Sequence, residues 1–164
     1  MCTRFYLNLT GFMMLLFVVS AEYTLCPDGW MAEHGSCYYF NEVPHNFTEA
    51  QRACRDMGAH LVHIESIDEN NFIKDRVRHE YPQTNWWIGL VDYVQEGYWM
   101  WADDLAHLQE FEDWAPGEPN ASSDVENCGE LHRNLNFQWN DYECHWPINS
   151  ICEMNRQSSE VIVG

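Results

Sequence analysis

The sequence predicts an α+β domain, and three observations carry that prediction. Two stretches in the N-terminal half begin with helix caps and continue with helical spacing of apolar residues, one from Thr48 and one from Ser66. The run Trp86-Trp87-Ile88-Gly89-Leu90 is apolar without interruption, as a strand buried on both sides requires. Beyond it come short strand-like segments separated by turn residues, so helices are segregated from sheet rather than alternating with it.

In chain order, Cys26-Pro27-Asp28-Gly29-Trp30 opens the domain and Ser36-Cys37-Tyr38-Tyr39-Phe40 reads as a first, aromatic strand. Thr48-Glu49-Ala50-Gln51 reads as a capping box, starting a helix through Ala53, Cys54 and Met57 that Gly58 stops. Leu61 to Ile64 is a short strand; His60 just before it and His63 within it, at a spacing of three, would face opposite ways. Ser66 caps a second helix that turns Ile67, Phe72, Ile73 and Val77 to the core and ends before Pro82. After the buried strand, Tyr98-Trp99-Met100-Trp101 alternates with Trp99 and Trp101 on one face. Residues Ala102 to Asn136 read as one long irregular stretch, and such stretches in compact domains are usually functional. Ser150-Ile151-Cys152-Glu153 closes the sheet, which places the domain at 22–153 and a flexible tail at 154–164.

Composition sets the compartment and excludes partners. The 164 residues suffice for one core, and 15% aromatic content argues against disorder. Residues 1–21 read as a secretory signal: Arg4, an apolar run from Phe12 to Val19 too short to span a bilayer, then Ser20-Ala21 before the expected cut. The expectation is a secreted, extracellular protein without a membrane span. Removing that leader leaves seven Lys and Arg against 26 Asp and Glu, a net charge of −19. Nucleic acid and anionic membranes are poor partners for such a surface, whereas cations are good ones. Six cysteines remain, an even number that implies disulfides, with 15 pairings open from sequence alone. No C-x-x-C occurs, which argues against a cysteine zinc site.

The stretch Trp114 to Cys144 gathers the candidate site. Glu118, Asn120, Glu126, Asn140 and Asp141 are hard oxygen donors of the type calcium prefers. A cis bond at Glu118-Pro119 would make a tight turn presenting Glu118 and Asn120 to one ion. Calcium takes roughly six to eight oxygens, so such a set leaves room for two sugar hydroxyls. The Glu118 carboxylate would accept a hydroxyl proton while the Asn120 amide donates to its neighbour. Residue by residue the plain alternative is a hydrated acidic loop.

Taken in order, these segments resemble the C-type lectin domain family over about Cys26 to Glu153. Trp87-Ile88-Gly89-Leu90 resembles the family's WIGL signature, Glu118-Pro119-Asn120 its EPN motif and Trp139-Asn140-Asp141 its WND motif. Within the family the chain is most similar to small secreted lectins of the perlucin type. The resemblance implies a C-type lectin-like fold with two helices, short antiparallel sheets and a long calcium-binding loop region. It implies the long-form pairing Cys26–Cys37, Cys54–Cys152 and Cys128–Cys144. It also implies Ca2+ as cofactor, mannose-type glycans as ligands, and Glu118, Asn120, Glu126, Asn140 and Asp141 as both metal ligands and sugar readers. Asp92 and Glu96 match two positions of a second calcium site. The other two fall on Ala121 and Asn127, so that site should be weak or absent.

Beyond the expected leader, two glycosylation sequons occur, Asn46-Phe47-Thr48 and Asn120-Ala121-Ser122. Asn46 is the expected acceptor, because a glycan on Asn120 would occupy a calcium ligand. Neither G-x-S-x-G nor H-E-x-x-H is present, and the expectation is no enzyme. The biological reading is recognition of surface glycans in innate defence. The competing one is an acidic matrix or biomineral protein, and homo-oligomers are a further partner class.

Overall fold

The computed structural model describes residues 25–108, 111–120 and 125–155. The expected leader, and the chain beyond Asn155, lie outside the described residues. The elements are β1 (Met31–Glu33), β2 (Ser36–His45), α1 (Phe47–Asp56), β3 (His60–Leu61), α2 (Ile67–Glu80) and β4 (Trp86–Val91). They continue with β5 (Met100–Trp101), β6 (Cys128–His132), a 3-10 turn at Arg133–Leu135, β7 (Gln138–Tyr142) and β8 (Ile148–Asn155). The fold is α+β, as the sequence predicts.

The strands form one sheet in the order β1-β2-β8-β4-β6-β7, with β3 added on β8 and β5 on β4. The long pairing of β2 with β8, from Ser36 opposite Asn155 to Asn41 opposite Ser150, ties the two ends of the domain together. The expected short antiparallel pairings are present, and one further pair departs from them: β4 and β8 run parallel, Trp86 opposite Asn149 and Trp87 opposite Ser150. Parallel neighbours need a long connection, and residues 92–147 supply it.

β4 is buried throughout because alternate side chains enter two different cores. Trp86, Ile88 and Leu90 pack with Ile73 and Val77 of α2 and with Trp99, Trp101 and Trp139. Trp87 and Val91 pack on the other side with Phe47, Ala50 and Cys54 of α1 and with Met100. Trp99 and Trp101 thus share one side and Met100 takes the other, as their alternation predicts. Gly89 has a steric reason. Its amide donates to the Val62 carbonyl at 2.8 Å, and a Cβ there would lie 2.8 Å from the Leu61 carbonyl oxygen.

Several local expectations change. α1 starts at Phe47, with Asn46 rather than Thr48 as its cap. The Asn46 side chain accepts the Glu49 amide at 2.9 Å and the Glu49 carboxylate accepts the Asn46 amide at 3.3 Å. Asn caps at least as well as Thr, and starting earlier buries Phe47 edge-on against Trp87 at 5.5 Å. Ser66 does cap α2, accepting the Glu69 amide at 3.2 Å. Ile67, however, occupies the solvent face of the first turn at 56% exposure rather than the core. β1 precedes the strand expected to come first. β3 is only two residues long because the next carbonyl leaves it: Val62 N–H still donates to Ile151 of β8, but the Val62 carbonyl accepts from Gly89 of β4.

β6 overturns the reading of 102–136 as wholly irregular. Its sequence Cys-Gly-Glu-Leu-His is buried up to Leu131, and the buried acid Glu130 hides the strand from a hydrophobicity reading. β8 runs to Asn155, two residues past the boundary expected at Glu153. The three disulfides are Cys26–Cys37, Cys54–Cys152 and Cys128–Cys144, the pairing the resemblance implies. The second closes a sequence separation of 98 residues, a constraint on the unfolded chain of roughly 4–5 kcal/mol in the loop-entropy account. No helix among the described residues is long and apolar enough to cross a membrane.

Candidate functional site

The loop 111–120 is held onto β7 by backbone and side chains together. Trp139 N–H donates to the Asp113 carbonyl at 2.9 Å and Ala115 N–H to the Trp139 carbonyl at 2.8 Å. The Asp113 carboxylate takes an ion pair from Lys74, and hydrogen bonds from Asn70 at 2.8 Å and Gln138 at 3.3 Å. Trp114 packs edge-on against Trp139 at 5.7 Å. From this base the chain turns back at Glu118, whose amide donates to Ala115 at 2.9 Å. The Glu118-Pro119 peptide is cis.

That turn sets Glu118 and Asn120 against Asp141 of β7. The Asn120 amide N–H donates to Asp141 Oδ1 at 3.2 Å, and the Asn120 side-chain NH2 donates to Glu118 Oε2. Burial raises the Glu118 carboxyl above its ordinary value, and the Asp141 carboxyl beside it raises it further, against a lowering bond from Asn120. Two carboxyls pressed together partly out of water favour sharing a proton or a cation. The donor set is all oxygen, which suits a hard divalent ion such as calcium.

Asn140 joins from the next position on β7. Its side-chain NH2 donates to Glu130 Oε1 at 3.1 Å and to the Asp141 carbonyl at 2.6 Å, which leaves its own oxygen turned away from Glu130. Glu130 lies directly opposite Asn140 across the β6–β7 ladder. Its other oxygen accepts from Asn85 at 3.0 Å. Glu130 is fully buried. Burial pushes its carboxyl up to about 8, with bonds from Asn140 and Asn85 opposing and the charges of Glu126 and Asp141 adding. Glu126, two residues before β6 and half-buried, is therefore in electrostatic reach of this group.

Of the five candidates, then, Glu118, Asn120 and Asp141 touch one another, Asn140 joins through Glu130 and the Asp141 carbonyl, and Glu126 joins by charge. Glu130 and Asn85 were not legible in advance. The signal that could have found Glu130 is the pairing of Cys128–His132 with the strand at Trp139, which presents that acid to Asn140.

Asp92, of the weak second-site pattern, is buried, accepts the Gly97 amide at 2.9 Å, and is raised by burial and by Asp141. Ala121 lies outside the described residues. Asn46 uses its side-chain oxygen as the α1 cap, and Thr48 beside it is exposed. The expectation that His60 and His63 face opposite ways is corrected: their ring centroids lie 4.4 Å apart. β3 ends at Leu61, so strand alternation does not extend to His63.

Comparison with known proteins gives a consistent picture. The lectin C-type domain family profile matches residues 43–154. Perlucin of Haliotis laevigata is 36% identical over 132 residues, covering 80% of this chain and 84% of perlucin. A perlucin-like protein of Mytilus galloprovincialis is 32% identical, over 84% of this chain and 89% of that protein. Among solved structures, the mouse scavenger receptor C-type lectin carbohydrate-recognition domain is similar at a TM-score of 0.73 and 34% identity. That likeness covers 80% of this chain and 99% of that domain.

Proposed function

Since the chain belongs to the C-type lectin domain family, a carbohydrate-binding family and not one of enzymes, we propose that it is a secreted, calcium-dependent lectin for mannose-type glycans. The observation that carries this reading is the contact of Glu118 and Asn120 with Asp141 across the turn at Pro119. Glu118, Asn120, Glu126, Asn140 and Asp141 would hold one Ca2+. A bound calcium ion supplies the open coordination positions that two neighbouring sugar hydroxyls occupy.

The chain's own groups do the rest. Glu118 accepts from one hydroxyl and Asn120 donates to the oxygen of the other, so an acceptor and a donor fix the orientation of the diol. Glu130, itself held by Asn85, accepts from the Asn140 side-chain NH2 and so fixes that amide. Lys74, Asn70 and Gln138 hold Asp113 and with it the base of the loop. Recognition of surface glycans in innate defence is the biological role this chemistry serves best. The net charge of −18 favours one other reading, an acidic protein adsorbed to mineral.

The deciding experiment is glycan binding by mature protein in calcium and in chelator, competed by mannose and by galactose. Calcium-dependent binding blocked by mannose is the expected result. Galactose as the better competitor overturns the specificity. Adsorption to calcium carbonate without any sugar binding overturns the lectin reading.

A further inference from the structure

We propose that His60, His63 and Asp103 form a site for a borderline transition-metal ion such as zinc, separate from the candidate calcium site. His60 begins the short β3, His63 lies just beyond its end, and Asp103 comes shortly after β5. The candidate calcium ligands lie instead on the loop at 118–120, on β7 and just before β6. One ligand atom from each of the three side chains lies within 4.8 Å of the other two. His63 Nε2 is 2.5 Å from Asp103 Oδ1. The ring of His63 is stacked on Trp101 at 4.6 Å and 13°, which fixes its plane.

His60 carries the more specific signature. Its Nδ1 lies 2.9 Å from the Leu61 carbonyl oxygen. A carbonyl can only accept, so Nδ1 holds the proton and the neutral ring carries its lone pair on Nε2. A backbone carbonyl behind one ring nitrogen is the usual way a metal-binding imidazole is oriented. His60 also borders a surface cleft with Met57, Gly58, Met154 and Asn155, which gives an ion a route in.

The chemistry selects the ion. Two imidazoles and one carboxylate suit zinc, copper or nickel, whereas calcium and magnesium prefer oxygen alone. Tetrahedral zinc holds its ligand atoms about 3.3–3.5 Å from one another at bonds of about 2.0–2.1 Å. Reaching that arrangement asks His60 to close in and His63 and Asp103 to part by about 1 Å, a side-chain adjustment at positions open to solvent on one side. Three protein ligands leave a fourth place for water. The ion would tie the β3 segment to the turn after β5. Those two are already close, since β4 runs between them with Gly89 amide and carbonyl bonded to Val62 and Ala102. The six domain cysteines are all bonded as disulfides, so no thiolate competes for the metal.

The test is titration of calcium-saturated mature protein with zinc chloride by calorimetry, and with cobalt chloride followed by visible absorption. The expected result is one zinc per chain, a tetrahedral cobalt band, and a higher Tm in zinc. His60→Gln and His63→Gln should each weaken zinc binding at least about 100-fold, more than loss of an outer-shell partner typically costs. Asp103→Asn should weaken it about tenfold or more. All three should retain calcium-dependent sugar binding. Imidazole nitrogen NMR on the wild type guards against a misfolded variant: zinc must shift His60 and His63 first. Zinc binding that is absent, that survives both histidine substitutions, or that shifts His34 or His145 instead overturns the proposal.

Discussion

Replacing Glu130 with glutamine tests the electrostatics beneath the site. Glu130 is fully buried and its carboxyl is raised from 4.5 to about 8. At neutral pH the folded protein keeps it protonated, while the unfolded chain ionises it freely. A raised carboxyl adds stability that is complete below its unfolded value and is lost as pH climbs toward the folded one. At about 1.4 kcal/mol per pH unit, the wild type has lost roughly 3 kcal/mol by pH 7. Glutamine does not titrate and avoids that loss. It does disturb one hydrogen bond. Asn140 and Asn85 both donate to Glu130, so a glutamine NH2 must face one of them. Asn85 cannot turn over without surrendering the Arg133 amide that its own oxygen accepts at 3.1 Å. That costs about 1 kcal/mol. The net expectation in chelator is that Glu130→Gln is less stable than wild type near pH 4.5 and more stable by roughly 2 kcal/mol at pH 7.

Urea unfolding monitored by tryptophan fluorescence, from about pH 4.5 to 9 with chelator, measures this directly. The two stability curves should cross between about pH 5 and 6 and diverge until about 8. Excess calcium should narrow the gap, because a cation near Asn140 and Asp141 favours the ionised carboxylate. Curves that stay parallel across the whole range would refute a raised Glu130 and the burial argument with it.

Other outcomes rest on named contacts. Asp141→Asn removes a charge at the point where Glu118 and Asn120 converge and should weaken calcium at least about tenfold by calorimetry, since ligand charge sets affinity. Calcium and sugar binding should fall together in acid, because the raised Glu118 carboxyl takes up protons in milder acid than an ordinary carboxylate and competes with the ion; binding that persists unchanged down to the ordinary glutamate value of 4.5 contradicts this. Gly89→Ala places a Cβ 2.8 Å from the Leu61 carbonyl oxygen and should cost about 1–3 kcal/mol in urea unfolding. Thr48→Ala should abolish any glycan on Asn46, seen by intact mass, yet leave the helix cap and Tm of the aglycosylated protein unchanged, because the cap is made by Asn46 and Glu49.

What was legible in the sequence is what depends on residue type and local spacing. The apolar run at Trp86–Leu90 demands a strand buried on both faces, and β4 is one. Ser66 caps α2 because a hydroxyl three residues before an acid has a local job that tertiary packing does not contest. The oxygen donors at 118–120 and 140–141 were recognisable because the turn at Pro119 and the strand at Trp139 are themselves local. What failed depends on which element lies opposite. Glu130 reads as one more acid in an acidic loop until β6 pairs with β7 and sets it against Asn140.

The histidines show the same limit from the other side. Alternation assigns His60 and His63 to opposite faces only while the backbone remains a strand. β3 ends at Leu61 because the Val62 carbonyl is taken by Gly89 of β4. The glycine that lets β4 approach so closely is therefore also what releases the chain after Leu61, and His63 turns to meet His60, Trp101 and Asp103. This gives the zinc proposal and the Gly89 prediction a common origin. Gly89→Ala, by pushing β3 away from β4, should weaken zinc binding even where the protein remains folded. The contacts around Asp141 at the candidate calcium site lie on β7 and the loop before it and should be spared.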